Sequence, residues 1–179
     1  KQKTAYEIMP SLVGSEMCIR DSYVIGGRGS MKEDWKKLAK EKGVEEKVIF
    51  VGFIPEEKLP AYYAMCDIFA LPSKEMRGEG EVEGFGISLL EANACGKPVI
   101  GAKNSGMEDA VIDGKTGLLI NPNSREEIKN AIIKLLSNKK LAEAMGRKGR
   151  ERIEKELCWE KITKKLMQAM LCNTGWVKD

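Results

Sequence analysis

The stretch EGFGISLLEANACGKPVI, residues 83–100, carries the pattern that decides the fold. Two glycines lie at its start, and a run with helical character, Ile87–Ala94, follows them. The next segment, Pro98–Gly101, is short and apolar, as is typical of a strand buried between helices. The sequence therefore predicts a turn, a helix and a strand in that order, which is part of a βαβ unit.

The same alternation extends outward in both directions along the chain. Five short, nearly all-apolar runs predict strands at Tyr23–Gly26, Lys47–Val51, Asp67–Leu71, Pro98–Gly101 and Gly117–Ile120. Helices are predicted at Met31–Lys42, Glu56–Met65, Ile87–Ala94, near Glu108–Ile112, after Asn121–Ser124 and at about Leu157–Leu171. The predicted fold class is α/β, with a doubly wound, Rossmann-like parallel sheet.

Details of two helices near the C-terminal end sharpen this prediction. Apolar residues form one stripe in each, namely Ile128, Ala131, Ile132, Leu135 and Leu136 in the first and Trp159, Ile162, Leu166 and Met170 in the second. Residues typical of helix starts are Glu57, Ser88 and Ser124. Gly43 and Gly146 are predicted to end helices.

The composition limits the class of protein to which this chain can belong. The 179 residues suit one domain or one lobe of a larger enzyme. Thirty basic and 27 acidic residues leave a formal charge of +3, which is too small an excess to indicate a nucleic-acid partner. Basic residues cluster between Lys139 and Lys165, but glutamates are interleaved with them. A solvated helix face is the preferred interpretation, with a membrane-surface patch as the alternative.

Histidine is absent, which excludes Ser-His and Cys-His nucleophilic sites and histidine-containing metal sites. The five cysteines are scattered without a CxxC pair, which favours reduced thiols in a cytoplasmic protein. No apolar run approaches membrane-spanning length, and no signal-peptide pattern is present.

Residues 1–22 do not fit the pattern of the rest. The stretch SLVGSEMCIRDS, residues 11–22, resembles translated adaptor sequence and is interpreted as foreign to the gene. The alternative is an irregular N-terminal strand and turn. The sequence thus divides into a non-family segment 1–22, a lobe 23–171 and a tail 172–179.

The chemistry is predicted to lie in the decad that begins at Glu83. Gly84 and Gly86 allow a backbone to approach a ligand closely. The helix that follows directs free N–H groups and the positive end of its dipole toward that ligand, which suits a diphosphate. Glu91 can reach back to the same ligand because helical side chains lean toward the N-terminus. A capping box from Ser88 to Glu91 is an equally acceptable interpretation of the spacing.

Read together with Ala94–Ile100, this decad resembles the E-x7-E signature of retaining glycosyltransferase family 4, also called glycosyl transferases group 1. The similarity runs from about Tyr23 to Leu171 and includes several motifs in the same order. It implies the C-terminal, nucleotide-sugar-binding lobe of a GT-B enzyme. Such enzymes have two lobes, and the acceptor normally binds in the other one.

The resemblance also implies roles for individual residues. Glu83 is expected near the hydroxyls and transferred carbon of the donor sugar, as a catalytic residue that acts electrostatically and by positioning. Glu91 is expected to accept hydrogen bonds from the ribose hydroxyls. Backbone amides of the intervening turn are expected to meet the sugar and phosphate, which assigns donor binding to Gly84, Phe85, Gly86 and Ile87.

Two earlier loops complete the expected donor site. Gly27-Arg28-Gly29 resembles the G-x-G turn near the nucleoside, and Gly52-Phe53-Ile54-Pro55 resembles the loop that packs on the base. Phe53 and Ile54 are the expected contacts there. Without the resemblance, both loops are ordinary strand-to-helix turns.

The sequence departs from the family pattern in two places. Ser105-Gly106-Met107-Glu108-Asp109 replaces the usual Gly-Gly-x-Pro-Glu turn. The Arg/Lys pair that grips the diphosphate belongs upstream of Tyr23, where the chain has its misfit segment. Arg77 could approach a phosphate, but a surface loop is the preferred interpretation.

The resemblance implies a retaining, metal-independent transfer of a hexose from a nucleotide diphosphate sugar, with no cofactor. The acceptor, a sugar or lipid, would bind a missing N-terminal lobe, so this lobe alone should not turn over. Location is expected in the cytoplasm, with at most peripheral contact at the inner membrane face. The alternatives are a related epimerase or phosphorylase, and a non-catalytic nucleotide-binding or scaffolding module derived from such a lobe.

Overall fold

The computed structural model describes residues 22–73 and 85–174, with side chains described through residue 170. Strands and helices alternate along the described chain. The strands are β1 Tyr23–Gly26, β2 Val48–Gly52, β3 Phe69–Leu71, β4 Val99–Ala102 and β5 Gly117–Ile120. The helices are α1 Lys32–Glu41, α2 Leu59–Met65, α3 Ile87–Ala94, α4 Met107–Ala110, α5 Arg125–Ser137, α6 Lys139–Arg152 and α7 Trp159–Thr174.

All five predicted strands are confirmed, and β1, β5 and α3 match their predicted bounds residue for residue. Gly43 ends α1 as predicted, because its φ of 64° lies in the left-handed region that a glycine adopts without strain. Ser124 caps α5 by accepting a hydrogen bond from the Glu127 N–H at 3.2 Å. Local signals of this kind were therefore sufficient to define most of the elements.

The strand pairings of the described residues are all parallel, as the alternation of strands and helices predicts. The hydrogen bonds divide the described strands into two sheets: β1 pairs with β2, and β4 lies between β3 and β5. The Rossmann-like class is confirmed in this form, with helices packed on the three-stranded sheet.

Two apolar clusters enclose the three-stranded sheet. One contains Tyr63, Leu89 and Met107 from α2, α3 and α4, together with Val99 of β4. The other contains Ile100 of β4 and apolar residues of α5 and α6. Since successive side chains of a strand point to opposite faces, Val99 and Ile100 each belong to a different cluster. The sheet is therefore the centre of the core, and α3 is one of its covering helices.

The prediction that Gly146 ends a helix is wrong. Gly146 lies inside α6, which begins at the cap Asn138, and this helix crosses the end of α3 very closely. A Cβ at Gly146 would overlap the Gly96 carbonyl, and one at Gly149 would lie 2.5 Å from the Asn93 side chain. Both glycines are thus explained by close helix packing.

Helix α7 confirms the predicted helix, and its apolar stripe is exposed. Of its large apolar side chains through residue 170, Trp159 is the most exposed. No helix among the described residues is both long and apolar enough to span a membrane.

Candidate functional site

The loops that follow β1 and β2 lie side by side. Because the two strands are parallel neighbours, their carboxyl ends meet at one edge of the sheet. The Gly27 N–H donates a hydrogen bond of 2.7 Å to the Gly52 carbonyl. The Arg28 guanidinium lies 4.6 Å from the centre of the Phe53 ring, which is cation–π distance. The structure thus brings together the two loops that the sequence singled out.

Glycine is required in both of these loops. Gly27 and Gly52 have φ values of 113° and 68°, in the left-handed region. A Cβ on Gly26 would lie 2.7 Å from Cδ1 of Ile54, so the first loop packs directly on the second. Phe53 projects outward with 61% of its surface exposed. The edge therefore presents backbone and one open aromatic face.

A cavity of about 20 Å³ lies beneath this edge, too small to hold more than one water molecule. Trp35 and Lys32 of α1 contribute to its wall, together with β1, β2 and the glycine turn. A ligand at this edge would consequently rest on the surface formed by the loops, not inside the cavity.

The second part of the site is the start of α3. Gly86 is the N-cap, with φ 75° and ψ 51°, and none of the described side chains caps this end of the helix. A Cβ on Gly86 would lie 2.9 Å from Leu89 Cδ1 and 3.1 Å from Met107 Cγ. Both the backbone conformation and the close packing thus require glycine here. Ile87 is 64% exposed, and Phe85 is exposed as well, so apolar surface surrounds the helix start.

The Glu91 carboxylate does not form the capping box that its spacing from Ser88 permits. The helix begins with Gly86 as its cap, two residues before Ser88. Instead, the Tyr63 hydroxyl donates a hydrogen bond of 2.8 Å to Glu91 Oε2. Tyr63 is buried, and its ring packs edge-on against Phe69 at 5.2 Å between ring centres. Glu91 itself is exposed. Its carboxylate is thus fixed from one side and open to solvent.

Asn93 anchors the same helix from within the core. Its side-chain amide donates hydrogen bonds to the Lys97 carbonyl at 2.8 Å and to the Thr116 carbonyl at 3.1 Å. These bonds join the end of α3 to the start of β5. Sequence reasoning overlooked Asn93, although a polar residue within the apolar run after Leu89 was a signal for such a buried anchor.

The turn at residues 105–109, which departs from the family pattern, is stabilised by local hydrogen bonds. The Ser105 hydroxyl donates to the Ala102 carbonyl at 2.9 Å, and the Glu108 carboxylate accepts from the Asn104 N–H at 2.8 Å. At the other end of α4, the Arg152 guanidinium donates to the carbonyls of Ala110 and Asp109 at 2.6 and 2.7 Å. This turn holds Met107 beneath Gly86, and Arg152 is a second residue that sequence reasoning missed.

Glu83 and Gly84 lie outside the described residues, as does Arg77. Of the predicted site residues that are described, Gly27, Arg28, Gly29, Phe53 and Ile54 share the β1–β2 edge, and Phe85, Gly86, Ile87 and Glu91 lie at α3. The described site therefore has two parts. One consists of the loops after β1 and β2, and the other is the start of α3, the helix that comes after β3 in the chain.

Comparison with known proteins gives a consistent result. The family model described as "Glycosyl transferases group 1" matches residues 9–152. The chain is 43% identical over 128 residues to the GDP-mannose-dependent alpha-(1-6)-phosphatidylinositol monomannoside mannosyltransferase of Mycolicibacterium smegmatis, covering 71% of this chain and 33% of that protein. It is 40% identical over 144 residues to the enzyme of the same name from Mycobacterium tuberculosis, covering 80% of this chain and 37% of that protein. The chain thus spans about a third of the length of these relatives.

Solved structures agree on the fold. Sucrose-phosphate synthase of Thermosynechococcus elongatus superposes with a TM-score of 0.72 at 31% identity, over 86% of this chain and 38% of that one. The C-terminal domain of a glycosyl transferase group 1 family protein from Francisella tularensis gives a TM-score of 0.61 at 28% identity, over 70% of this chain and 62% of that one. An Anabaena protein in complex with UDP and glucose shares the fold at a TM-score of 0.71 and 24% identity, over 83% of this chain and 40% of that one. The predicted Rossmann-like lobe of a GT-B protein is confirmed.

Proposed function

This chain belongs to the glycosyl transferases group 1 family, and we propose that it forms the donor-binding lobe of a retaining hexosyltransferase. The donor is a nucleotide diphosphate sugar. The observation that carries the proposal is the start of α3, where a left-handed glycine opens the helix and an exposed carboxylate, Glu91, follows one turn later. Such a helix start suits a diphosphate, and such a carboxylate suits a pair of hydroxyls.

The nucleoside part of the donor is assigned to the β1–β2 edge. The exposed ring of Phe53 offers a flat apolar face on which a base can pack, and Arg28 flanks that ring. Gly27 and Gly29 let the backbone approach closely because they have no Cβ. Base recognition through packing and backbone explains why these loops contain few polar side chains.

The diphosphate and sugar are assigned to the turn before α3. The backbone amides of Phe85, Gly86 and Ile87 stabilise negative charge as the bond between the sugar and the phosphate breaks. Glu91 accepts hydrogen bonds from the ribose hydroxyls. Glu83, with Gly84 beside it, approaches the transferred carbon and acts through its charge and by positioning the sugar, not as a nucleophile.

The donor we propose to test first is GDP-mannose. Two relatives at 40% and 43% identity are named as GDP-mannose-dependent enzymes. A structure with the same fold was solved with UDP, so the fold itself accommodates more than one base. The comparison of nucleotides therefore has to include both.

Transfer requires a second lobe that binds the acceptor, a sugar or a lipid. The chain covers about a third of its relatives, and we propose that it binds nucleotide without turning it over when it is alone. No metal or cofactor takes part, so EDTA should leave nucleotide affinity unchanged. Location is proposed in the cytoplasm, with peripheral contact at the inner membrane face at most.

Isothermal titration of the 179-residue chain with GDP-, UDP- and ADP-sugars tests the proposal. We expect one nucleotide class to bind at least tenfold more tightly than the others, which corresponds to about 1.4 kcal/mol of discrimination. Absence of binding to all three classes at millimolar concentration would reject the donor-lobe function. Equal affinity for the bare nucleoside and for the nucleotide diphosphate sugar would instead support a non-catalytic nucleotide-binding module.

A further inference from the structure

The hydrogen bond between Tyr63 and Glu91 joins two helices that are far apart in sequence. Tyr63 lies in α2 and Glu91 in α3, 28 positions later. The hydroxyl donates to Oε2 of the carboxylate at 2.8 Å, which is a normal length for a hydrogen bond between oxygens. The contact links the Glu91 carboxylate, the proposed ribose-binding group, to helix α2.

Tyr63 is held rigidly where this contact is made. Its side chain is 8% exposed and belongs to the apolar cluster that also contains Leu89 of α3. The ring meets Phe69 of β3 edge-on, at an interplanar angle of 79°. Because the ring is fixed by packing on two sides, its hydroxyl defines one position for a carboxylate oxygen.

Glu91 differs from Tyr63 in that its side chain is exposed and long. An exposed glutamate normally samples several rotamers, and ordering it on ligand binding reduces affinity. The hydroxyl of Tyr63 selects one of these rotamers before a ligand arrives. A carboxylate accepts about four hydrogen bonds, so this contact leaves acceptor positions for a pair of neighbouring hydroxyls.

We infer that Tyr63 is a positioning residue for donor binding, which holds the Glu91 carboxylate in the orientation that receives the ribose 2′- and 3′-hydroxyls. This inference rests on the proposed function, since it assigns a partner to the ribose-binding group. Tyr63 acts through Glu91 and does not itself touch the nucleotide.

The neighbouring Tyr62 provides a matched control. It lies on the same helix, is half-buried, and no hydrogen bond of its hydroxyl occurs among the described residues. Tyr63→Phe and Tyr62→Phe thus remove the same atom from adjacent positions, but only the first removes the donor to Glu91.

Isothermal titration of the 179-residue chain with GDP, UDP and ADP tests the inference. We expect Tyr63→Phe to raise the Kd of the nucleotide that wild type binds by about 3- to 10-fold, because the Glu91 side chain must then be ordered at the moment of binding. Tyr62→Phe should bind as wild type does. Circular dichroism establishes that both variants are folded.

Two further measurements separate positioning from a merely structural role. With the 2′,3′-dideoxy form of the same nucleotide, wild type and Tyr63→Phe should bind equally, because the hydroxyls that Glu91 receives are missing. In a Glu91→Ala background, Tyr63→Phe should produce no further loss. An equal loss with the dideoxy nucleotide, or an additive loss in the double variant, would show that Tyr63 acts through stability and not through Glu91.

The result also distinguishes this inference from the proposed function. If wild type binds nucleotide and Tyr63→Phe binds it equally well, the positioning role is refuted while the donor lobe stands. If wild type binds none of GDP, UDP and ADP, the proposed function fails, and the positioning role fails with it.

Discussion

The segment from β1 to β2 and the segment from β3 to β5 use the same parallel architecture but are packed very differently. Between residues 22 and 58, all of which are described, Trp35 and Ala39 are the buried hydrophobic side chains. In the second segment every residue of β4 is buried, and helices cover both sides of the sheet. The first segment presents loops on a half-exposed sheet, whereas the second holds a carboxylate on a rigid core.

This difference indicates how the two halves of the proposed site bind. The β1–β2 edge offers the exposed Phe53 ring and glycine backbone, which give a ligand contact area but fix its orientation only loosely. At α3, the left-handed Gly86, the core anchor Asn93 and the Tyr63 hydroxyl all restrict where Glu91 can lie. Substitutions in the exposed loops of the first segment should therefore change mainly affinity, and those near α3 should change both stability and affinity.

The largest expected effect is on stability. Leu89→Ala should lower the free energy of unfolding by about 3 kcal/mol, because Leu89 is fully buried between Gly86, Gly101 and the rest of the cluster. Ile49→Ala in β2 should lower it by about 1 kcal/mol or less, since Ile49 is 45% exposed. Urea unfolding followed by circular dichroism measures both values. Equal losses in the two variants would contradict the difference in packing.

The next effect concerns affinity at α3. Glu91→Ala should weaken nucleotide binding by about 10- to 100-fold, because hydrogen bonds to a charged group contribute about 1.5–3 kcal/mol. Glu143→Ala, which changes a solvent-exposed glutamate of α6 paired only loosely with Lys139 at 4.0 Å, is the control. Calorimetric titration gives the affinities. A lower melting temperature with unchanged affinity would show that Glu91 serves only to support the helix.

The smallest effect is expected at the β1–β2 edge. Phe53→Ala should weaken nucleotide binding by about 3- to 10-fold through the loss of packing on the base, while the melting temperature stays within about 2 °C. Met65→Ala is a suitable control because Met65 is also 61% exposed but lies in neither loop. A large loss of stability in Phe53→Ala would mean that this edge is structural.

Most of the fold follows from local patterns in the sequence. Short apolar runs next to glycine defined β1 and β5, and Ser124 marked the start of α5. The adjacency of the two glycine loops also followed, because loops after neighbouring parallel strands meet at one edge. These features need only information from residues close in sequence.

The features that escaped prediction depend on contacts between distant residues. The region from Lys139 was interpreted as a helix face, but the continuation of α6 through Gly146 was missed because a glycine resembles a helix end. The role of Gly146 is visible only in the crossing with α3. The contact of Tyr63 with Glu91 joins positions 28 residues apart, so no local pattern indicates it. The capping box, the other role considered for Glu91, does have a local sequence pattern. The exposed face of α7 has the same periodicity as a buried one, so the pattern could not distinguish them.

The most direct test of a two-part donor site is a map of where a nucleotide contacts the chain. Two-dimensional ¹H–¹⁵N NMR spectra of the labelled protein, recorded during titration with GDP and with UDP, report each backbone amide separately. We expect one nucleotide to shift the amides of residues 27–29, 53–54 and 85–91 together, with a common saturation curve. Shifts confined to another surface, or movement of the β1–β2 loops without those of α3, would contradict this expectation.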